Sequence, residues 1–432
     1  MQFATLVLST NHGHSKQRPV LPPWAFANQV EPIRPDCLDA MGVGLIWCPD
    51  LQRWGVYILH DPIKVRFFGS QLSSEWSRII FQGDLGEGTL SDQTLSSISE
   101  LLASYLKQLW TEKARRMGLL SSQESFRLLH AENDGIPGIV IDAYNDLLVL
   151  SCGNAVGDFL LPLVVKALRS AFSPLPLLER SSGQHRVGLG LSERTRWIFA
   201  GQENPPLLVR GKINGVSLRF KPLKAQKTGL FLDQRSNLFS FAQLLQHRYS
   251  GTPFSVLDVC SYVGAWSATA CNVGAETVEL IDQDKEALEN AVANCVGIPS
   301  LGSVRVGPNV QTHHGDLFEV CHKLVGQKKK FDVVVCDPPA FAKSKAHVPQ
   351  ALKAYQKLFK LGAQLLAPGG VLVVCSCSRN VTEEDFLHAV RAGLKGFGEW
   401  KLLFRGAQSS DHTTLLHFDA GDYLKCFFLE LI

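Results

Sequence analysis

Short apolar runs alternate with amphipathic stretches through residues 206–432. The runs SVLDVC, TVELID, FDVVVC and VLVVCSCS have the length and β-branched content of buried strands. The stretches between them, such as DKEALENAVANC and ALKAYQKLFKLGAQLL, repeat apolar residues at helical spacing. This alternation is typical of a mostly parallel sheet covered by helices on both faces. The pattern therefore predicts an α/β domain over 206–432.

The first 205 residues have a different pattern. Residues 1–75 contain short strand-like pieces (ATLVLST, GLIWCPD, WGVYILH and IKVRFFG), separated by Pro and Gly, which predict a small β-barrel. Residues 76–205 combine a helical stretch that ends near Gly118 with turn-separated strands and a second helix, GDFLLPLVVKALRSAF. We therefore expect a central α+β domain over 76–205, although 172–205 shows no clear pattern.

Composition restricts the classes of protein that the chain can belong to. Of 432 residues, 45% are apolar and 19% are charged, which excludes a disordered chain, and the net charge of +3 is compatible with a local basic surface. The eleven cysteines include no C-x-x-C pair, so a zinc ribbon or thioredoxin-type site is disfavoured and no metal is expected. We read the cysteines as reduced thiols of a cytoplasmic protein. The sequence shows no signal peptide and no apolar run of membrane-spanning length.

Acidic residues stand at the ends of three successive predicted strands: Asp258, Asp282 and Asp316. The turn after the first strand contains Ser261 and one glycine, Gly264, instead of the G-x-G-x-x-G that cradles a pyrophosphate, so a dinucleotide is disfavoured. Three carboxylates could accept bonds from an ammonium group, a ribose and an adenine amine, respectively. This combination without a phosphate cradle fits S-adenosylmethionine. Each carboxylate could instead be an ordinary helix cap.

Two further segments carry candidate chemistry. The stretch CDPPAFAKSK follows the fourth strand, and its Asp-Pro-Pro corner would hold Asp337 at the sheet edge, beside Pro338, Pro339, Phe341 and Lys343, where a planar base could bind and stack. A simple Asp-Pro turn is the alternative. The polar segment AQKTGLFLDQRSN would form a lid over the cofactor or a plain turn; the lid residues would be Gln226, Lys227, Thr228 and Asp233.

The segment VVCSCSRN places two cysteines on one face of a strand, because side chains alternate along it. Cys377 is nearer the carboxyl end, where ligands of such sheets bind, and could be a nucleophile if a cation such as Arg379 or Lys343 stabilises its thiolate. Cys375 is expected to be a buried filler.

Together, KTGLFLDQR, LDVCSYVG, DPPAFAKSK and SCS resemble the large-subunit (23S) ribosomal RNA cytosine-5 methyltransferases that carry an N-terminal PUA domain. Upstream, RLLHAENDGIPGIVIDAYND resembles the central domain of that family. The resemblance implies a PUA-like RNA-binding domain at 1–75, an EEHEE-type central domain at 76–205 and a Rossmann-like class I methyltransferase domain at 206–432. It also implies RNA as the partner and leaves the oligomeric state open, with a homodimer as one candidate.

The resemblance implies a mechanism as well. The Cys377 thiolate would add to carbon 6 of a cytosine, and Asp337 would bind the N3/N4 edge of that base. Other RNA cytosine-5 methyltransferases have a cysteine after the second proline, where this chain has Ala340. Two alternatives stay open: a guanine N2 methyltransferase of ribosomal RNA, whose family lacks a cysteine at position 377, and a catalytically inactive RNA-binding scaffold.

Overall fold

The computed structural model describes residues 3–5, 23–33, 37–82, 90–118, 123–200, 205–297, 308–418 and 421–432. Its contacts divide the chain into two compact units. The first unit comprises Met1–Leu207, Lys221–Gly229 and Ser410–Gly421, and the second comprises Leu208–Phe220, Leu230–Ser409 and Asp422–Ile432. The three-domain division stays a prediction. Most of the predicted strand ATLVLST lies outside the described residues.

The first unit begins with a five-stranded sheet in the order β1-β3-β4-β5-β2. Strand β1 pairs parallel with β3, and the other pairs are antiparallel. Two helices follow. The bounds are β1 Phe3–Thr5, β2 Trp24–Phe26, β3 Val43–Cys48, β4 Arg53–Ile58, β5 Ile63–Phe67, α1 Ser70–Gln82 and α2 Asp92–Arg116.

A second five-stranded sheet of the first unit has the order β10-β9-β8-β7-β6. One apolar cluster includes side chains of both sheets and of three helices, so these elements share a core, and a second, smaller cluster lies in the first sheet. The bounds are β6 Phe126–His130, β7 Ile139–Tyr144, β8 Leu147–Cys152, α3 Ala155–Phe172, β9 Leu177–Ser181, α4 Gln184–Gly188 and β10 Arg194–Phe199.

Strands β9 and β10 fall in the stretch whose pattern was unclear. Glu179 in β9 is fully buried because Arg194 and Arg196 of β10 bind its two carboxylate oxygens at 2.7 and 2.8 Å. A charged residue inside a buried strand disrupts the apolar pattern from which strands are predicted.

The second unit is an α/β domain around a seven-stranded sheet of order β15-β14-β13-β16-β17-β19-β18. Strands β13 to β17 are parallel, and β19 runs antiparallel to both neighbours. The bounds are β11 Val209–Ile213, β12 Val216–Phe220, α5 Arg235–Arg248, β13 Ser255–Val259, α6 Ala265–Asn272, β14 Thr277–Asp282, α7 Lys285–Val296, β15 Asn309–His314, α8 Leu317–Gly326, β16 Phe331–Cys336, α9 Val348–Leu365, β17 Leu366–Ser376, α10 Glu383–Leu394, β18 Trp400–Gly406 and β19 Lys425–Leu431.

The order of strands places the candidate site. The chain direction across the sheet reverses at β13, which lies between β14 and β16. In such sheets, ligands bind outside the carboxyl ends of the strands at this switch point. Residues that follow β13, β14, β16 and β17 therefore converge on one edge, and the predicted α/β fold class is confirmed. In the part of the chain that the model describes, no helix combines the length and apolar character needed to cross a membrane.

Candidate active site

A tight turn follows β13. Cys260, Tyr262 and Gly264 all have positive φ, of 66°, 49° and 78°. The amides of Cys260 and Ser261 both donate to the carbonyl of Ile281, at 2.9 and 3.0 Å, which ties the turn to β14. Non-glycine residues in this conformation are strained, and such strain is concentrated at ligand-binding loops.

Gly264 is required by its conformation and by a close helix contact. A Cβ added there would lie 2.9 Å from the Cβ of Ala291 in α7, and φ is in the left-handed region. The expected approach of Gly264 to a cofactor stays a prediction; the contact that the structure shows is with α7.

Asp258 lies in β13 with no exposed surface. Its Oδ2 accepts bonds from the amide and hydroxyl of Ser267, at 3.2 and 2.7 Å. Its Oδ1 and the Oγ of Ser261 are buried without a hydrogen-bond partner among the described residues. Burial raises the pKa of Asp258 to about 7; the bonds from Ser267 oppose the rise, and the charges of Asp337 and Asp282 add to it.

Asp282 and Asp316 have different surroundings. Asp282 ends β14 and is nearly buried, and its carboxylate accepts bonds from the amides of Tyr262 and Asp284, at 2.8 and 2.9 Å. Burial raises its pKa. Asp316 is exposed and caps α8, with Oδ1 accepting from the amides of Phe318 and Glu319 at 2.9 and 3.2 Å. Asp316 thus has the capping geometry that we considered as the alternative, and its role at adenine stays a prediction.

Asp337 follows β16 and is held by two side chains that sequence reasoning missed. Its Oδ2 accepts from Gln234 Nε2 at 2.9 Å and from Trp266 Nε1 at 3.0 Å. Gln234 is itself fixed by Asn237, whose Nδ2 donates to Gln234 Oε1 at 2.7 Å. Gln234 adjoins the predicted Asp233, and Trp266 is the second residue of α6, but the sequence gives no signal that both meet Asp337.

The rest of the Asp-Pro-Pro segment lies beside this edge. Pro338 is buried, whereas Pro339 and Lys343 are exposed. The half-buried ring of Phe341 packs against Tyr355 and Phe318, with centroid distances of 4.8 and 6.5 Å. Phe341 therefore belongs to an aromatic cluster and follows Asp337 by four residues, and its contact with a base stays a prediction.

Cys377 follows β17 at the same edge. Cys336 pairs with Val374, so Asp337 is level with Cys375, and Cys377 extends about 7 Å further along the strand direction. Cys375 is fully buried and its sulfur is 3.3 Å from that of Cys426, whereas Cys377 is half-buried. The hydroxyls of Ser376 and Ser378 lie 2.8 and 3.0 Å from Tyr355 Oη of α9, so these two side chains share a face as predicted. That Cys377 shares the face of Cys375 stays a prediction.

A buried lysine adjoins the Cys377 loop. Lys425 begins β19 opposite Ser376, is only 7% exposed, and donates to the carbonyls of Ser378 and Val381 at 2.9 and 2.7 Å. Burial lowers the pKa of Lys425, and the negative charges of Asp422 and Glu383, and of Cys377 when it is ionised, oppose that change. Sequence reasoning missed Lys425, because its position depends on the pairing of β19 with β17. The cations expected instead, Arg379 and Lys343, are exposed.

The predicted lid segment is divided between the units. Gln226 and Lys227 are exposed, and Thr228 donates its hydroxyl to Asp142, all within the first unit. Asp233 belongs to the second unit, where its carboxylate accepts from Tyr423 Oη at 2.7 Å. The contacts of these four residues with a cofactor stay a prediction.

The residues after β13 and β14 fit S-adenosylmethionine. Two buried oxygens, on Asp258 and Ser261, lack a donor among the described residues, and burial, together with nearby carboxylates, raises the pKa of Asp258. A ligand with an ammonium group and hydroxyls would supply both donors and positive charge. In the described ranges no cluster of three or more His, Cys, Asp or Glu side chains could hold a metal ion.

Comparison with known proteins agrees with this fit. Residues 195–393 match the model of the S-adenosylmethionine-dependent methyltransferase family. A Streptococcus mutans protein assigned as a SAM-dependent methyltransferase superposes with a TM-score of 0.71 over 100% of both chains, at 18% identity. SMU.776, assigned as a methyltransferase and solved with SAH, has a TM-score of 0.67 over 90% of this chain and 91% of its own, at 20% identity. The fold and the cofactor, S-adenosylmethionine, are thereby established.

Curated relatives identify the family more closely. Ribosomal RNA large subunit methyltransferase I of Aeromonas salmonicida is 33% identical over 74% of this chain and 78% of its own length. The protein of the same name from Pseudoalteromonas atlantica is 29% identical over 93% of both chains. The chain therefore belongs to the ribosomal RNA large subunit methyltransferase I family.

Proposed function

We propose that this protein methylates carbon 5 of a cytosine in large-subunit (23S) ribosomal RNA through a covalent adduct with Cys377. The observation that carries the proposal is the position of Cys377: a half-buried thiol at the carboxyl edge, one strand away from Asp337 and beside a buried lysine. The names of the relatives support ribosomal RNA as the substrate.

Residues around β13 to β15 would hold the cofactor. Asp258 and Ser261 have buried oxygens available for its ammonium end, Asp282 would accept from the ribose hydroxyls, and Asp316 from the adenine amine. Gly264 shapes the turn that presents these groups. When bound, S-adenosylmethionine supplies the methyl group.

The chain's own residues would activate the base. The thiolate of Cys377 adds to carbon 6 of cytosine, and this addition makes carbon 5 nucleophilic. Asp337, held by Gln234 and Trp266, would bind the N3/N4 edge. In its protonated form it would donate its proton to N3 and so offset the negative charge that the addition places on the ring. After methyl transfer, a base removes the proton from carbon 5 and the thiolate leaves. The target base must leave any stack to reach the thiol, and Phe341 would support it.

Two paired variants test the nucleophile. Cys377→Ala is expected to lower methyl transfer to large-subunit rRNA below about one thousandth of wild type, because no covalent route remains. The variant should still bind S-adenosylmethionine, as measured by calorimetry. Cys375→Ala, at the fully buried cysteine two residues earlier, is the matched control and should retain activity. Methylation that persists in Cys377→Ala at a wild-type rate would contradict the proposal.

The same assay separates the two alternatives. A guanine N2 methyltransferase would leave its product on guanine and would not depend on Cys377. An inactive scaffold would bind RNA without transferring a methyl group. Nucleoside analysis of the methylated RNA distinguishes all three outcomes. We also propose that the protein acts in the cytoplasm and that residues 1–75 form a PUA-like domain that binds RNA.

A further inference from the structure

The positive charge of the second unit is concentrated in one segment. Residues 317–365, from α8 through α9, contain nine lysines against three carboxylates, a net charge of +6. Since the whole chain carries +3, all remaining residues together carry −3. The near-neutral total therefore hides a strongly basic segment. Lys329 of this segment pairs with Glu279, so the surface that could bind a polyanion is formed by the lysines of α9.

The lysines of α9 lie along one side of the helix. Lys353, Lys357 and Lys360 are exposed and are spaced by four and three residues, which places them in a row. We call these three residues the α9 stripe. It is about 10 Å long, enough to face about three phosphates of a helical strand.

Among the described residues, the stripe lysines have no acidic partners. None of the three stripe lysines, nor Lys345 before α9, forms an ion pair with any residue that the model describes. Glu319 is the exposed carboxylate of the adjoining helix α8, and it too has no ion pair in the described structure. Like charges in a row repel one another, so a bound polyanion would relieve an unfavourable arrangement.

Aromatic rings connect the stripe to the candidate active site. The Nζ of Lys357 lies 4.4 Å from the ring centroid of Phe318. Phe318 stacks with Phe341 at 6.5 Å and 25°, and Phe341 lies four residues after Asp337. Because α9 starts on the carboxyl side of the sheet and ends before β17, the stripe leads away from the edge where Cys377 lies.

We propose that the α9 stripe binds the phosphate backbone of the RNA strand that carries the target base. The inference rests on the proposed RNA substrate and adds the surface along which that substrate approaches. Lysines act as point charges on phosphates without reading sequence, so the stripe contributes affinity and orientation, and base selection belongs to the Asp337 edge.

The test compares two triple variants with a labelled single-stranded RNA of about 30 nucleotides and mixed sequence. For Lys353→Gln with Lys357→Gln and Lys360→Gln, we expect affinity to fall about tenfold or more at low salt. The slope of log affinity against log salt should decrease in magnitude by about 2, because three phosphate contacts are lost. S-adenosylmethionine binding should not change.

The control triple is Arg210→Gln with Lys395→Gln and Lys401→Gln, which removes the same charge from exposed positions elsewhere in the second unit. It should keep affinity within about twofold. If both triple variants lose RNA affinity equally, or the stripe triple variant loses none, the proposal is overturned while the proposed function stays intact. If the wild-type protein shows no salt-dependent RNA binding, the RNA substrate itself is wrong.

Discussion

Asp258 combines two opposing roles in one residue. Its carboxylate is fully buried, its pKa is raised to about 7, and one oxygen lacks a partner in the described structure. Buried ionised groups destabilise a fold unless they are paired. The residue is thus unfavourable for the ligand-free protein and suited to a cationic ligand, a common compromise at binding sites.

Asp258→Asn separates these roles. At about pH 8, we expect the ligand-free variant to be more stable than wild type by about 2 kcal/mol, because a neutral amide replaces a buried carboxylate. It should lose most of its affinity for S-adenosylmethionine. Thermal unfolding with and without the cofactor measures both effects. A variant that is less stable without cofactor yet binds it normally would contradict this role for Asp258.

The pKa of Asp258 also predicts how cofactor binding depends on pH. Because a cationic ammonium favours the ionised carboxylate, binding should release a proton below about pH 7 and weaken as pH falls further. Calorimetry in two buffers of different ionisation enthalpy measures the proton directly. An affinity that is constant between about pH 6 and 8 would exclude an ammonium contact at Asp258.

Lys425 is expected to support the thiolate of Cys377. In Lys425→Met, the loop loses two hydrogen bonds and the thiol loses a nearby cation, so alkylation of Cys377 by iodoacetamide should require a higher pH. Lys425→Arg should restore part of the wild-type dependence of the alkylation rate on pH. Peptide mass spectrometry measures the rate at each pH. If the alkylation rate of Cys377 depends on pH in Lys425→Met as it does in wild type, this lysine has a purely structural role.

At the scale of elements, the turn after β13 depends on Gly264. Gly264→Ala is expected to destabilise the protein by about 2–4 kcal/mol, because left-handed φ costs about 1–2 kcal/mol and the new Cβ overlaps Ala291. Gly215→Ala is the matched control, since its φ of 84° is similar and, apart from its chain neighbours, no described residue has an atom within 4 Å of the added Cβ. In denaturant unfolding, the free energy of unfolding should fall clearly less for Gly215→Ala than for Gly264→Ala.

The sequence predicts elements best where neighbouring residues determine the structure. Strands β13, β14, β16 and β17 and the helices between them were predicted because each has its own apolar period. Strands β9 and β10 were not predicted. The buried Glu179 of β9 interrupts the apolar pattern, and the arginines that pair with it lie on another strand, β10. The same reasoning applies to the site. Asp258 and Asp337 stand at predictable strand ends. Gln234 and Trp266 reach Asp337, and Lys425 reaches the Cys377 loop, only through the packing of the segment before α5, of α6 and of β19.

At the scale of the whole molecule, the two units should respond oppositely to acid. In the first unit, burial raises the pKa of Asp158 and Glu179, but stronger bonds from arginines lower both below their ordinary values. Their stabilising effect is present above about pH 4.5 and is lost as pH falls below it. In the second unit, the raised pKa of Asp258 makes the fold more stable as pH falls from about 7 toward 4.

Hydrogen exchange measured by mass spectrometry can follow each unit separately. As pH falls from about 7 to 5, peptides of β13 and β16 in the ligand-free protein should become better protected from hydrogen exchange, after correction for the intrinsic exchange rate. Peptides of β9 and β10 should stay unchanged over that range and lose protection below it. If the β13 and β16 peptides lost protection on acidification while the β9 and β10 peptides gained it, the effects assigned to Asp258 and to Asp158 and Glu179 would be contradicted.

The most direct test of the central claim is a covalent trap. Large-subunit rRNA in which cytosine is replaced by 5-fluorocytosine should form an adduct that persists in denaturant when incubated with the wild-type protein and S-adenosylmethionine, because fluorine cannot leave carbon 5 as a proton does. Peptide mapping should place the bond on the sulfur of Cys377, and Cys377→Ala should form none. An enzyme that methylates rRNA yet forms no adduct, or forms one at another residue, would contradict the account.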